Sequence, residues 1–227
     1  MSSFPSTLDT RERLLSAALE VFAERGYAGG TIREICGRAK ANLAAVHYYY
    51  GDKRGLYVAI FDRLSDLFHE RRTRYQPNPT PPQERLRVYI RAALEEILNT
   101  NEGQEYPSHL SAIYLAEMAH PTEVLDQIVA HNFKPHDEEL RTIIAQLLGL
   151  EASASLVVNT AASISGQILN YFFARPLLSR LNPEYPPSEE RLDELAHHIW
   201  QFSLGGIEAL RSRVSQEAGE RRSERLR

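Results

Sequence analysis

The 227-residue chain has a single cysteine, Cys36. An intrachain disulfide framework is therefore excluded, and a reducing compartment fits. Long apolar runs are missing too. No uninterrupted stretch reaches the roughly 18 residues that mark a membrane-spanning helix, so no span is expected. The first nine residues, Met1 to Asp9, have neither a basic nor an apolar leader region. A signal peptide is not expected, and the chain reads as cytoplasmic. No convincing strand pattern and no internal repeat is found. The one glycine cluster, Gly26-Tyr-Ala-Gly-Gly30, has no strand before it and no Lys-Ser/Thr after it. It reads as a turn, not a phosphate loop. Metal-ligand spacing is likewise lacking. His120, His131 and His136 are irregularly placed, and His197 and His198 are neighbours whose side chains point about 100° apart on a helix. No catalytic residue, metal site or cofactor is implied.

What is present is a globular composition. Apolar residues make up 43% and charged residues 25% of the chain, so a packed core is expected. The net charge of −4 does not suggest a nucleic-acid partner. Its distribution does more. Met1 to Tyr75 hold 12 Lys+Arg against 9 Asp+Glu, a balance of +3; the remaining residues hold 14 against 21, a balance of −7. Phosphate binding needs local positive charge, not a basic whole.

Helical periodicity runs through the chain. Leu15, Ala18, Leu19, Phe22 and Ala23 predict a helix near 10–25, opened by a capping box of Asp9 and Glu12 and closed at Gly26. Thr31 with Glu34 predicts a second capping box and a short helix to about Ala39. Asn42 caps a third helix to about Tyr49. Gly51-Asp52 breaks and caps a fourth, from Lys53 to about Tyr75, with Leu56, Ile60, Leu64, Leu67 and Phe68 on one face. Residues 76–82 are proline-rich, a stiff connector. Helices are expected near 83–98, 109–119, 122–133 (ended or kinked by Pro135) and 137–148. Two long ones follow: 152–174, apolar nearly all round and so buried on several sides, and 188–214, capped by Ser188.

Two short helices joined by a tight turn form a candidate helix-turn-helix. The second can enter a major groove: Ala44 and Ala45 let the backbone approach, and Leu43, Ala44 and Ala45 can touch thymine methyls. Asn42 can bond an adenine edge or a phosphate, or only cap its helix. His47, Tyr48 and Tyr49 form a polar aromatic cluster, or simply pack, while Val46 and Tyr50 face inward. Arg33 can reach a guanine. Thr31 and Lys53 stand at helix starts, where amides and the dipole attract phosphate.

The runs Leu14-Leu-Ser-Ala-Ala-Leu-Glu-Val-Phe-Ala-Glu-Arg-Gly-Tyr27, Thr31-Ile-Arg-Glu-Ile-Cys36 and Ala41-Asn-Leu-Ala-Ala-Val-His-Tyr-Tyr-Tyr-Gly-Asp-Lys-Arg-Gly-Leu56 resemble the TetR-type transcriptional regulators. The resemblance implies an all-α protein: a three-helix DNA-binding head with a helix-turn-helix, then a helical ligand-binding and dimerisation body of about six helices. It implies base contacts at Arg33, Leu43, Ala44 and His47, and phosphate contacts at Thr31, Ala45, Tyr49 and Lys53. Three positions depart from the pattern. Lys40 stands where the turn usually has glycine, Ala45 lacks a common hydroxyl, and His47 replaces a frequent Tyr or Asn.

Leu115-Ala-Glu-Met-Ala-His-Pro-Thr-Glu-Val-Leu-Asp-Gln127, Lys134-Pro-His136, Gly166-Gln-Ile-Leu-Asn-Tyr-Phe-Phe-Ala-Arg-Pro176 and His197-His-Ile-Trp-Gln-Phe-Ser-Leu-Gly-Gly-Ile207 resemble the C-terminal domain of CecR/YbiH-like members of that family. This implies a regulator answering to a small apolar or drug-like compound. Domains are expected at 1–55 (head), 56–214 (body) and 215–227 (a charged, disordered tail). The helices at 152–174 and 188–214 can form a four-helix bundle between two copies, a homodimer whose heads read a palindromic operator on double-stranded DNA. Pocket candidates are Tyr114, Met118, Phe133, Ile164, Gln167, Ile168, Tyr171, Phe172 and Trp200, although apolar residues at such spacing also build cores. The reading is a repressor released by its effector. Two rivals stay open: a DNA-binding protein controlled by a partner or by no ligand, and an enzyme with a helical catalytic body.

Overall fold

A computed structural model describes residues 9–74, 81–98 and 106–224, and the regular elements among them are helical. In chain order they are α1 (Thr10–Gly29), α2 (Ile32–Ala39), α3 (Leu43–Tyr50), α4 (Lys53–Arg74), α5 (Pro82–Leu98), α6 (Tyr106–Ala119), α7 (Leu125–Ile128), α8 (Lys134–Leu148), α9 (Ser155–Phe173), α10 (Arg175–Leu181) and α11 (Leu192–Glu224). Most of the proline-rich connector and the side chains of Leu64, Leu67 and Phe68 lie outside the described residues. None of the described helices is long and apolar enough to cross a membrane.

Packing divides the chain into two compact units, Met1–Asp66 with Asn101–Phe133, and Leu67–Thr100 with Lys134–Arg227. The division differs from the expected boundary after residue 55. The first turns of α4 belong to the first unit, because Leu56, Tyr57, Ile60 and Phe61 are buried there. They close a core with Leu14, Ala18, Leu19 and Phe22 of α1, Ile35 of α2 and Val46 of α3. Each Leu, Ile, Val or Phe so buried contributes about 1.5–3 kcal/mol. Helix α6 packs on α1, so this segment joins the head's unit. The Phe22, Tyr27, Tyr57 and Phe61 rings form one edge-and-tilt cluster, with centroids 4.7–6.0 Å apart.

The second unit is a bundle of α5, α8, α9 and α11 around Leu86, Ile90, Leu94, Ile143, Ile144, Val157, Ile164, Leu195 and Ile199. Helix α9 departs from the expected burial on several sides. Val157, Ala161, Ile164 and Ile168 form one buried stripe, while Asn159, Ala162, Ser163, Gly166 and Asn170 are exposed. The helix is uncharged but not apolar all round: its large apolar residues fill one face, and the other face carries small and uncharged polar side chains.

Several local expectations are corrected. Asp9 makes no side-chain cap; its carbonyl accepts from the Arg13 amide. Ser188 also makes no side-chain cap, and a 3-10 turn at Glu189–Arg191 leads into α11. Pro135 does not end the helix but follows a local distortion of it. The π-helical segment Val129–Phe133 runs straight into α8, and its wider turn accommodates a ring that would collide with an α-helical carbonyl four residues back. Helix α10 occupies residues where no helix was expected. The last helix continues to Glu224 in place of a disordered tail from 215. No proline interrupts that stretch, and Arg213 pairs with Glu217 at i,i+4.

Candidate nucleic-acid interface

Helix α2, the residues 40–42 and α3 make a helix-turn-helix whose bends are set locally. Thr31 Oγ1 accepts the Glu34 amide at 3.2 Å, opening α2. Lys40 closes it with φ 50° and ψ 47°, the left-handed conformation usually left to glycine. Asn42 Oδ1 accepts the Ala45 amide at 2.9 Å, opening α3. After α3, Gly51 takes φ 78° and ψ −67°, and the Asp52 amide donates to the Tyr50 carbonyl at 3.0 Å, a γ-turn. Asp52 Oδ1 then accepts the Gly55 amide at 2.8 Å and starts α4. Gly55 permits this because a Cβ there would lie 2.0 Å from the Tyr50 carbonyl oxygen.

An eight-residue helix is too short to be stable alone. Tertiary contacts hold α3. Val46 is buried, and the Tyr50 hydroxyl donates to the Arg11 carbonyl at 2.7 Å; both face inward as expected. Burial pushes the Tyr50 phenol up to about 12. Arg13 Nε donates to the Ala39 carbonyl at 3.1 Å, tying α1 to the end of α2. Arg38 grips Glu24 through two bonds of 2.8 and 2.7 Å and also reaches Glu34 at 2.9 Å. The Arg38 guanidinium holds the Glu24 carboxyl below its usual value.

The opposite side of α3 is open. Leu43 is 55% and Tyr48 82% exposed. Ala44 and His47 are exposed beside them, with Ala45 partly covered. The rings of Tyr48 and Tyr49 meet edge-on at 4.9 Å. His47 Nδ1 lies 2.6 Å from the Gly51 carbonyl oxygen. Thr31 and Arg33 are exposed at the start of α2. Lys53 sits at the first position of α4, where its ammonium donates to the Ala28 carbonyl at 3.3 Å and stands 4.8 Å from the centroid of the Tyr27 ring. Thus the ten residues singled out for DNA fall on the start of α2, α3 and the start of α4.

The same unit contains a polar network that the sequence reading did not single out. The Tyr57 hydroxyl donates to Glu117 Oε2 at 3.0 Å. Glu117, 1% exposed, also accepts from the Thr122 amide and hydroxyl, both at 2.9 Å. Asn132 Nδ2 donates to Asp62 Oδ1 at 2.9 Å, and Arg54 Nε to Gln127 Oε1 at 3.0 Å. A carboxylate four residues from the buried Ile113 was the available signal, although it names no partner.

The nine pocket candidates fall in both units. In the first, the Tyr114 and Phe133 rings meet edge-on at 5.4 Å and Phe133 touches Phe61, while Met118 is half exposed. In the second, Ile164 and Ile168 are core residues. Gln167 bonds back to the Ser163 carbonyl of its own helix at 3.4 Å, and Trp200 Nε1 donates to the Gln83 carbonyl at 2.9 Å. The Phe172 ring lies against Phe173. Only Tyr171 of the nine borders the open cleft of about 430 Å³ that the second unit presents beside Arg191, Glu194, His197 and His198. Among the described residues no group of three His, Cys, Asp or Glu could hold a metal ion.

Comparison with known proteins places these features in a family. The chain matches "Bacterial regulatory proteins, tetR family" over residues 14–60, and "HTH-type transcriptional dual regulator CecR, C-terminal domain" over residues 82–207. It is 27% identical to the HTH-type transcriptional dual regulator CecR of Shigella flexneri over 168 residues, 71% of this chain and 74% of that one. It is 31% identical to the HTH-type transcriptional repressor NicS of Pseudomonas putida over 81 residues, 36% of this chain; the match spans only 38% of NicS. Among solved structures, Bacillus subtilis FadR in complex with stearoyl-CoA superposes with a TM-score of 0.62 at 16% identity, covering 86% of this chain and 97% of that one; this likeness speaks for the fold alone. The first match covers the helix-turn-helix and the second more than half of the chain, and the protein belongs to the TetR family of bacterial transcriptional regulators, with a C-terminal domain of the CecR kind.

Proposed function

We propose that two copies of this chain read a palindromic operator, each through the open face of α3, and that a small apolar effector releases them. The exposed Leu43, Ala44, His47 and Tyr48 on a helix otherwise fixed by Val46, Tyr50 and its Asn42 cap carry this reading. Large side chains left in solvent on so firmly held an element suit a partner surface. In the complex, His47, Leu43, Ala44 and Arg33 meet base edges. Thr31, Ala45, Tyr49 and Lys53 meet phosphates, and Tyr48 lies along the groove wall. Asn42 keeps its carbonyl oxygen on the Ala45 amide and has only its amide nitrogen to offer.

The second copy is supported by α9 and α11. Helix α9 carries no charged side chain and exposes Ala162, Ser163 and Gly166 on one face. Helix α11 exposes Phe202 (67%), Gly205 and Gly206, and a Cβ at Gly166, Gly205 or Gly206 would meet nothing within 4 Å. These faces suit a four-helix bundle across a two-fold axis. We read the chain as a cytoplasmic repressor and not an enzyme. NicS, a repressor by name, supports repression, and the stearoyl-CoA complex of FadR shows that a protein of this fold can take an acyl-chain ligand. Coupling arises because the effector binds the two conformations of the dimer unequally, typically by about 1–3 kcal/mol.

Selection of genomic fragments by the purified protein tests the reading. The expected product is a palindrome with half-sites an integral number of helical turns apart. Recovery of DNA without sequence preference would overturn it, as would a monomer mass at micromolar concentration for the dimer. An unchanged operator affinity under saturating acyl-chain ligands would remove an effector of that class.

A further inference from the structure

We infer that His47 reads its base as a hydrogen-bond acceptor, selecting the amino edge of adenine or cytosine. The inference deepens the reading of α3 as the base-reading helix and rests on it. It starts from Gly51. The γ-turn there, with φ 78° and ψ −67°, turns the Gly51 carbonyl back toward the end of α3, where it lies 2.6 Å from His47 Nδ1. The Gly51 amide donates to the His47 carbonyl at 3.2 Å, so both polar groups of Gly51 are engaged by the same residue. A carbonyl oxygen has no proton to give. The proton of that bond therefore belongs to Nδ1, and a neutral imidazole has only one. Nε2, across an exposed ring, is left with its lone pair.

A lone pair on a recognition helix has limited partners. In the major groove the donors are the N6 amino group of adenine and the N4 amino group of cytosine. Guanine N7 and O6 and thymine O4 are acceptors, and facing one of them sets two lone pairs against each other. A Tyr hydroxyl or an Asn amide at this position would offer both polarities and tolerate either edge. His47 with the Gly51 carbonyl behind it offers one.

The test uses the whole chain at pH 8. Operators are selected with the wild type and with His47→Ala, both checked for folding by circular dichroism. The position whose preference His47→Ala loses is the one that His47 reads. The expected base there is adenine or cytosine. Replacing it by purine or 2-pyrimidinone, which lack the amino group, should weaken wild-type binding about three- to tenfold. His47→Ala should bind both duplexes alike, and His47→Gln, with both polarities, should in addition accept guanine. A guanine or thymine at that position overturns the inference. So does an amino deletion that costs the wild type nothing, or costs His47→Ala as much. Unchanged preferences in His47→Ala also overturn it, while α3 would remain the reading helix. Failure of the wild type to retain any duplex would instead remove the DNA reading itself, and the inference with it.

Discussion

Lys40→Gly should make this protein more stable. Lys40 is the only non-glycine residue with positive φ among the described residues, at φ 50° and ψ 47°. Its amide donates to the Gly37 carbonyl at 3.4 Å, and the Ala41 amide to the Cys36 carbonyl at 3.0 Å. That pair of bonds closes α2 in the way glycine favours. An L side chain in this conformation costs about 1–2 kcal/mol. Glycine removes that cost and adds about 0.5–1 kcal/mol of chain entropy lost on folding. Lys40 is exposed, so little packing is lost with its side chain. The balance is a gain of about 0.5–1 kcal/mol, or a rise in Tm of roughly 1–4 °C for a chain of this size. Denaturant titration followed by far-UV circular dichroism, with calorimetry for Tm, reads it. A fall in stability would refute the reasoning, since the lysine side chain would then contribute more than its backbone costs. The same variant separates two roles for Lys40. If it meets a phosphate, the slope of log K against log salt on operator DNA becomes shallower by about 0.9; if it only turns the chain, the slope stays.

Four further outcomes follow from the same geometry. Lys53→Ala should weaken binding to every duplex and reduce the salt slope by about 1; an unchanged slope would confine Lys53 to its bonds with Ala28 and Tyr27. Gly55→Ala should lower Tm and abolish operator binding, because the new Cβ meets the Tyr50 carbonyl oxygen at 2.0 Å and must displace the α3–α4 turn; wild-type melting and binding would contradict that. Tyr57→Phe should cost about 1–3 kcal/mol, by leaving the buried Glu117 carboxylate without one donor, and a denaturation midpoint within error of wild type would show that the bond contributes nothing. Alkali should act through the tyrosines: burial raises both Tyr50 (to about 12) and Tyr57 above the free phenol value near 10. Their contribution is complete below pH 10 and is lost as pH rises through the folded values, so Tyr50→Phe should flatten the stability loss between about pH 10 and 12.

What was legible in the sequence is what acts within one or two turns of chain. Thr31 and Asn42 cap because their side chains reach an amide three residues on. Gly26, Gly51 and Gly149 mark backbone that turns left-handed, and apolar spacing marks the buried sides of α1, α4 and α11. The run from Thr31 to Lys53 therefore gave its own helix-turn-helix, its open face and its family. The same local rules over-read Asp9 and Ser188, where capping residue types are present without capping bonds. They allowed Pro135 to end its helix or to kink it; the helix does not end there, and a π-helical segment precedes it. Tertiary structure alone decided the rest. Tyr57 finds Glu117 sixty residues away, Arg38 pairs with Glu24 of α1 at the surface, and α9 buries one stripe while its uncharged polar and small residues stay exposed. The polarity of His47 belongs here too, since it depends on where the next turn aims a carbonyl. A periodic pattern states which side of a helix avoids water; which group meets it there is fixed only when the elements pack.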